Sequence, residues 1–191
     1  MARGNGRQED GKVRAAARGR WWRWARLAAG LAAAVTGCEE GGPPEPEPGN
    51  ACTVSRLSDG DSLWCREGNE RVRLLLVDAP ETAQVPWGDS ARAALAALLP
   101  TGRTVRVELD ANPRDDFGRL LAYLWLDDGR MVNEEIARAG YVVLLVYPPN
   151  VRYLDRIRNA VTEACDAGRG LWATPAFDCL PVDFRAGRCG A

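Results

Sequence analysis

Histidine is absent from the 191-residue chain. Its absence excludes the most common general base, the most common zinc ligand and every nucleophile that a histidine would activate. Catalysis must therefore come from carboxylates, arginines, thiols, hydroxyls or a metal ion bound by oxygen. Lysine is nearly absent too, because Lys12 is the only one, so arginine supplies almost all the positive charge. No pair of cysteines has the C-x₂-C spacing of a zinc site.

The first 37 residues have the pattern of a secretory signal peptide. Five arginines between Arg14 and Arg26 precede a short apolar run at 27–35, and small residues lead from there to Cys38. This order is typical of export signals, and a cysteine at this place resembles the lipid-bearing cysteine of bacterial lipoproteins. The apolar run is too short to span a membrane, which needs about 20 residues. We expect an exported protein, anchored at the cell envelope through lipidated Cys38 or secreted if that anchor is absent.

Composition divides the rest of the chain. Residues 38–51 alternate proline, glycine and glutamate, which is typical of an extended, solvated tether. We therefore predict a lipoprotein-type signal peptide at 1–37, the tether at 38–51, one folded domain at 52–173 and a cysteine-containing tail at 174–191.

Hydrophobic periodicity predicts strands interleaved with helices. About five strands with three helices indicate an α+β domain, a small β-barrel with helices packed on it. The predicted strands are 52–58, 62–66, 71–77, 104–109 and 120–126, with a further β-like run at 141–147. The predicted helices are 90–99, 131–139 and 153–167.

Five cysteines follow Cys38, and export is consistent with disulfide bonds between them. Asp59-Gly60 predicts a hairpin turn between the first two strands. Cys52 and Cys65 flank this turn almost symmetrically, so they are expected to face each other across two strands. Cys179 and Cys189 bracket the tail and are expected to staple it, which leaves Cys165 over. A bond between Cys165 and Cys179 is the alternative.

Acidic residues and arginines at the ends of predicted strands suggest phosphoryl-transfer chemistry. Asp61, Asp78 and Glu81 supply the hard oxygen ligands that Ca²⁺ or Mg²⁺ prefers. Arg73 and Arg119 supply two forked guanidiniums, which grip phosphate and neutralise charge that develops in a transition state. Each residue alone has an ordinary structural explanation, such as a turn or a solvated strand face. Their joint order and spacing favour a catalytic set.

Three segments carry a resemblance to a known family. They are Asp59-Gly-Asp-Ser62, Arg73-Leu-Leu-Leu-Val-Asp-Ala-Pro-Glu-Thr82 and Phe117-Gly-Arg-Leu-Leu-Ala-Tyr123. Shorter matches follow in the same order at Val132-Asn-Glu134, Tyr147-Pro-Pro-Asn150 and Gly170-Leu-Trp172. Over about residues 52–173 the chain resembles the staphylococcal nuclease (thermonuclease) family.

The resemblance implies a five-stranded OB-type β-barrel with three packed helices. It also implies an endonuclease that hydrolyses phosphodiester bonds in DNA and RNA with Ca²⁺ and leaves 3′-phosphates. Asp61, Asp78 and the backbone carbonyl of Ala79 match the family's metal ligands. We expect DNA and RNA substrates, a membrane contact only through the lipid anchor, no protein partner and a monomer.

The resemblance also assigns roles to residues around the metal. Glu81 is expected to activate or orient the attacking water, while Arg73 and Arg119 hold the phosphate. Tyr147 matches a position that lines the nucleotide pocket. Phe117, the other expected substrate-binding residue, stands where a tyrosine is frequent and lacks its phosphate-facing hydroxyl.

The acidic charge is the main feature against this interpretation. Residues 1–37 contain 8 of the 25 basic and 2 of the 26 acidic residues, which leaves 17 basic against 24 acidic residues, a net charge of −7. Nucleic-acid binding favours positive charge, so substrate affinity is expected to be weak. The competing hypothesis is a catalytically weak OB-type domain that binds nucleic acid, or a surface lipoprotein that binds Ca²⁺.

Overall fold

The computed structural model describes residues 50–189, which contain seven strands and four α-helices. The strands are β1 Ala51–Leu57, β2 Ser62–Cys65, β3 Arg71–Leu74, β4 Val77–Asp78, β5 Thr104–Arg114, β6 Leu120–Trp125 and β7 Val143–Leu144. The helices are α1 Trp87–Leu98, α2 Val132–Arg138, α3 Leu154–Asp166 and α4 Pro181–Arg185. Two 3₁₀ turns lie at Glu67–Asn69 and Gly170–Ala173.

Five of the strands close into a barrel in the order β1-β2-β3-β6-β5. Neighbours pair antiparallel except β3 and β6, which pair in parallel with Arg73 opposite Leu121. Val54, Leu63, Val72 and Leu124 are fully buried inside this closed sheet. Closure leaves the barrel with no open edge. The prediction of an α+β fold on a five-stranded barrel is confirmed.

The predicted strand 71–77 was wrong as a single strand. A turn at Leu75 and Leu76 breaks it, and Leu76 has a φ of 65°. That left-handed conformation is strained for a leucine, and tertiary packing must hold it. Both leucines are buried, at 6% and 3% exposure, so the apolar run fills the core instead of continuing the barrel. The chain leaves β3 at this turn and enters β4, which pairs with β7.

Other boundaries also differ from the predicted ones. Strand β5 continues to Arg114, five residues beyond the predicted end, because Arg114 still pairs with Leu120 across an irregularity. The β-like run 141–147 contributes only Val143–Leu144 to a strand. Helix α1 begins at Trp87, before the predicted start at 90.

Helices α1, α2 and α3 are the three predicted ones, and α4 in the tail was not predicted. Leu95, Ile136 and Ile157 are fully buried representatives of the three, and all belong to the barrel's hydrophobic core.

Two disulfide bonds are present in residues 50–189. Cys52 bonds Cys65, with their Cα atoms 5.1 Å apart, and Cys179 bonds Cys189, with their Cα atoms 5.7 Å apart. Cys165 is free and exposed, so the alternative Cys165–Cys179 pairing is not formed.

The predicted signal peptide 1–37, Cys38 and nearly all of the tether 38–51 lie outside the described residues. They stay predictions, as does the boundary at residue 173. Across residues 50–189 no helix combines the length and apolar character that crossing a membrane requires.

Candidate active site

Asp61 is a buried carboxylate between the first two barrel strands. It is 5% exposed, and its Oδ2 accepts a hydrogen bond of 2.6 Å from the backbone N–H of Ala79. Its Oδ1 accepts a hydrogen bond of 3.0 Å from the hydroxyl of Ser62. These donors fix both oxygens and tie the hairpin to the segment that follows β4.

Gly60 is more than a turn residue. A Cβ at this position would lie 2.6 Å from the Cβ of Ala91 and 2.7 Å from the Cβ of Ala79. Only glycine lets the hairpin approach α1 and the Asp78–Ala79 segment this closely. The Asp-Gly pair predicted the turn, but the sequence carried no sign of this packing.

Arg73 joins two carboxylates from one position on β3. Its Nη2 lies 3.1 Å from Asp61 Oδ2 and donates a hydrogen bond of 3.0 Å to Asp78 Oδ1. Its Nη1 donates to the carbonyls of Leu74 and Val77, at 2.9 and 2.8 Å, and so bridges the break between β3 and β4. The turn after β3 therefore brings Asp78 back beside the arginine five residues before it.

Asp61 and Asp78 form a buried pair of carboxylates. Asp78 is 2% exposed. Its Oδ1 and the Oδ2 of Asp61 both form ion pairs with the Nη2 of Arg73. Burial raises the pKa of Asp61 to about 7, against the opposing effect of Arg73. Buried carboxylates are costly without a compensating cation.

The donor set of this pair fits a hard divalent cation. Carboxylate oxygens are the preferred ligands of Ca²⁺ and Mg²⁺, and Ala79, the predicted carbonyl ligand, directly follows Asp78. Within residues 50–189, the one triad of potential ligands clustered within 4.8 Å is Cys52, Cys65 and Glu67. Its two cysteines form a disulfide, so this triad has no free thiolate to offer a metal.

Glu81 lies at the rim of the same cluster, with its side chain 39% exposed. Its backbone N–H donates a hydrogen bond of 2.8 Å to Gln84 Oε1. A Cβ on Gly88, in the first turn of α1, would lie 2.2 Å from the Glu81 carbonyl oxygen. Gln84 and Gly88 thus fix the backbone of Glu81. Glycine inside a helix is unfavourable, which is a sequence signal for this close approach.

Arg119 lies one residue before β6 and is held by its own loop. Its Nε donates a hydrogen bond of 2.6 Å to Asp115 Oδ2, and its backbone N–H donates to Asp115 Oδ1 at 2.9 Å. Burial raises the pKa of Asp115, but these hydrogen bonds outweigh it and hold that pKa below its usual value. Within residues 50–189 only the Nε of the Arg119 guanidinium has a hydrogen-bond partner, and no hydrogen bond or ion pair joins Arg119 to Glu81.

The two predicted substrate-binding aromatics are solvent-exposed. Phe117 is 83% and Tyr147 67% exposed. The guanidinium of Arg119 lies 5.5 Å from the centre of the Phe117 ring, so these two residues form one surface patch. Exposed aromatic rings suit stacking with nucleic-acid bases. No contact joins Tyr147 to this patch in the described part of the chain.

Arg185 of the tail helix α4 is a site residue that sequence reasoning missed. Its guanidinium donates to both oxygens of Asp78, at 3.1 and 2.8 Å, and to Glu81 Oε1 at 2.7 Å. The structure thus brings together Asp61, Arg73 and Asp78, and Arg185 links Glu81 to Asp78. The one signal in the sequence was the predicted staple around the tail.

Comparison with known proteins shows the family of the chain. A family model described as staphylococcal nuclease homologue matches residues 71–174. The chain belongs to the staphylococcal nuclease family. The matched range contains Arg73, Asp78, Glu81 and Arg119 and ends before Arg185.

Curated proteins named thermonuclease or endonuclease resemble somewhat less than two thirds of the chain. The chain is 38% identical over 131 residues to the thermonuclease of Staphylococcus intermedius, covering 65% of this chain and 77% of that protein. It is 34% identical over 127 residues to the thermonuclease of Staphylococcus hyicus, covering 63% and 74%. Endonuclease YncB of Bacillus subtilis (strain 168) is 34% identical over 134 residues, covering 65% and 63%. The prediction of a phosphodiester-hydrolysing nuclease is confirmed.

Proposed function

We propose that the chain is a Ca²⁺-dependent endonuclease that hydrolyses DNA, RNA or both and leaves 3′-phosphate ends. The buried pair Asp61 and Asp78, joined by Arg73 with Glu81 at its rim, carries the proposal. The relatives named thermonuclease and endonuclease support a nucleic-acid substrate.

The cation would be held by Asp61, Asp78 and the carbonyl of Ala79. Bound there, it would supply a positive charge beside the scissile phosphate, which lowers the cost of charge developing in the transition state. The protein keeps both carboxylates in place beforehand, through Ser62, Arg73 and the Ala79 N–H.

Glu81 has the position of a general base. Its carboxylate is half-exposed, three residues after Asp78, and its backbone is fixed by Gln84. A fixed carboxylate beside a bound phosphodiester orients a water molecule and accepts its proton as the water attacks phosphorus.

The two predicted phosphate-binding arginines differ in how many of their guanidinium nitrogens already have hydrogen-bond partners. Arg119 has both terminal nitrogens free of hydrogen-bond partners within residues 50–189, so they are available to phosphate oxygens. Arg73 is bound to carboxylates and carbonyls, and its contribution is to hold the carboxylate pair together and to keep positive charge within it.

We further propose that the enzyme is exported and anchored through Cys38. The arginine-rich, apolar and small-residue order of 1–37 supports this location. The protein with Cys38 is expected to sediment with the membrane fraction of the producing cells. A Cys38→Ser variant is expected in the soluble fraction. Equal sedimentation of both proteins would contradict the lipid anchor.

A weakly active binding domain is the second candidate, and the net charge of −7 after residue 37 favours it. It predicts nucleic-acid or Ca²⁺ binding without turnover, which the following assay separates from hydrolysis.

The chemistry of the product ends tests the proposed reaction. Single-stranded DNA and RNA are incubated with the purified protein in Ca²⁺. The fragments are then given to a template-independent polymerase, with and without prior phosphatase treatment. We expect internal cleavage and fragments that are extended only after phosphatase treatment, because a 3′-phosphate blocks extension. Fragments that are extended without phosphatase carry 3′-hydroxyls and would contradict the proposed reaction. Binding without cleavage would support the second candidate.

A further inference from the structure

The tail places a positive charge on the carboxylates of the candidate active site. We define the C-terminal strap as residues 174–189. Its Arg185 bonds both oxygens of Asp78 and one oxygen of Glu81, at 2.7–3.1 Å. Bidentate hydrogen bonds between a guanidinium and a carboxylate are among the strongest in proteins.

These carboxylates are the ones that the proposed chemistry needs. A Ca²⁺ ion requires ligand oxygens at about 2.3–2.6 Å, and the Arg185 nitrogens already sit against both Asp78 oxygens. A divalent cation beside a guanidinium would also be repelled by it. Glu81 accepts a hydrogen bond from Arg185 at its Oε1, so this oxygen is not free to accept one from water. Metal binding and Arg185 binding therefore compete at Asp78.

The charge of the cluster leads to the same conclusion. Asp61, Asp78 and Glu81 carry three negative charges when ionised, and Arg73 alone offsets one of them. Arg185 offsets a second, which weakens the attraction that the cluster exerts on a cation.

We propose that the C-terminal strap is autoinhibitory, with Arg185 competing with the divalent cation for Asp78 and holding Glu81 until the strap is released. The proposal rests on the nuclease function proposed above for the same carboxylates.

The strap is fastened at several points besides Arg185. Phe177 makes edge-to-face contacts with Trp87 and Trp172, with ring centres 5.7 and 6.1 Å apart. Pro181, at the start of α4, is buried. These contacts hold the strap against α1 and the 3₁₀ turn at Gly170–Ala173, and so hold Arg185 at the site.

Gln84 links the strap directly to the Glu81 backbone. Its Nε2 donates a hydrogen bond of 3.0 Å to the carbonyl of Cys179, while its Oε1 accepts from the N–H of Glu81. The Cys179–Cys189 disulfide then closes the loop that contains α4 and Arg185. Opening that loop is expected to weaken the Arg185 contacts without touching the barrel.

Arg185→Ala is the direct test, and Arg188→Ala is its matched control. Arg188 belongs to the same strap and pairs with Asp183 of the strap itself. The affinity of each full-length protein for Ca²⁺ alone is measured by isothermal titration calorimetry. We expect Arg185→Ala to bind Ca²⁺ about tenfold more tightly than the unmodified protein, because charge-assisted hydrogen bonds to Asp78 no longer have to be broken. Arg188→Ala is expected to bind like the unmodified protein.

A second variant keeps Arg185 and opens the loop. Cys179→Ser combined with Cys189→Ser is expected to raise the Ca²⁺ affinity in the same direction and by less. Thermal unfolding of each variant shows whether the barrel is intact. Equal Ca²⁺ affinities of the unmodified protein and Arg185→Ala would overturn the proposal.

DNA cleavage separates the strap from the proposed function. At a Ca²⁺ concentration below saturation, Arg185→Ala is expected to cleave single-stranded DNA faster than the unmodified protein. Slower cleavage by Arg185→Ala at saturating Ca²⁺ would make Arg185 a substrate-binding residue and overturn the autoinhibitory role. Tighter Ca²⁺ binding by a variant that never cleaves would support the strap and contradict the nuclease.

Discussion

Replacing Glu81 by glutamine is expected to lower the rate constant for phosphodiester cleavage by about 10²–10⁴. The amide keeps the size of the side chain and its place at the rim, but it cannot accept a proton from the attacking water. The fold should not change, since the Glu81 backbone bond to Gln84 is untouched. The measurement is the initial rate of single-stranded DNA cleavage at saturating Ca²⁺ and substrate.

Glu163→Gln is the matched control for this change. Glu163 on α3 also has an exposed side chain paired with arginines, at 50% exposure, but it lies outside the cluster. Its variant should cleave at the unmodified rate. Because Glu81 also accepts from Arg185, the comparison is repeated in the Arg185→Ala background. Full activity of Glu81→Gln in both backgrounds would reject Glu81 as the general base.

Asn133→Ala is expected to lower the free energy of unfolding by about 3–5 kcal/mol. Asn133 is fully buried, and its Oδ1 accepts from the N–H of Leu124. Its Nδ2 donates to the carbonyls of Leu75 and Ala122. The substitution removes the partner of the Leu124 N–H and of the Leu75 carbonyl, in the region where β6 supports the turn after β3. The Ala122 carbonyl loses one of its hydrogen bonds and keeps the one from the N–H of Leu75. Urea unfolding of the variant and the unmodified protein measures the difference.

Asn112→Ala supplies the comparison for that experiment. Asn112 is exposed on β5, and within residues 50–189 its backbone groups alone are hydrogen-bonded, both to Asn150. Its loss of stability is expected to stay below about 0.5 kcal/mol. If Asn133→Ala lost no more than Asn112→Ala, the buried amide would not be what stabilises the turn.

The barrel could be predicted because apolar and polar residues alternate along each strand, and this pattern is visible in a short stretch of sequence. The turn at Leu75 and Leu76 could not, because a run of four apolar residues is compatible with a continuous strand. Leucine also gives no local sign of a φ of 65°. Contacts from distant parts of the chain, such as the bond from Asn133 to Leu75, stabilise that conformation.

Much of the candidate site could likewise be predicted from residue order. Asp61, Arg73 and Asp78 do meet, because the hairpin and the turn after β3 bring short segments together. Glu81 is linked to Asp78 through Arg185. Arg185 could not be predicted, since 104 residues separate it from Glu81 and its place depends on how the tail folds back.

The partners of Arg119 and the charge of the site also needed the structure. The sequence predicted two phosphate-binding arginines. In the structure Arg119 is held by Asp115, while Arg73 is occupied by carboxylates. The acidic balance of the chain predicted weak substrate binding, and Arg185 adds a second reason for low activity while the strap is in place.

The measurement that tests the central claim most directly is the metal dependence of cleavage. The purified protein is incubated with single-stranded DNA in Ca²⁺, then in excess chelator, and then with Ca²⁺ restored. We expect cleavage in Ca²⁺, its loss on chelation and its return when Ca²⁺ is added back. Cleavage that continues in chelator, or no cleavage in Ca²⁺ by either the unmodified protein or Arg185→Ala, would contradict a Ca²⁺-dependent nuclease built on Asp61 and Asp78.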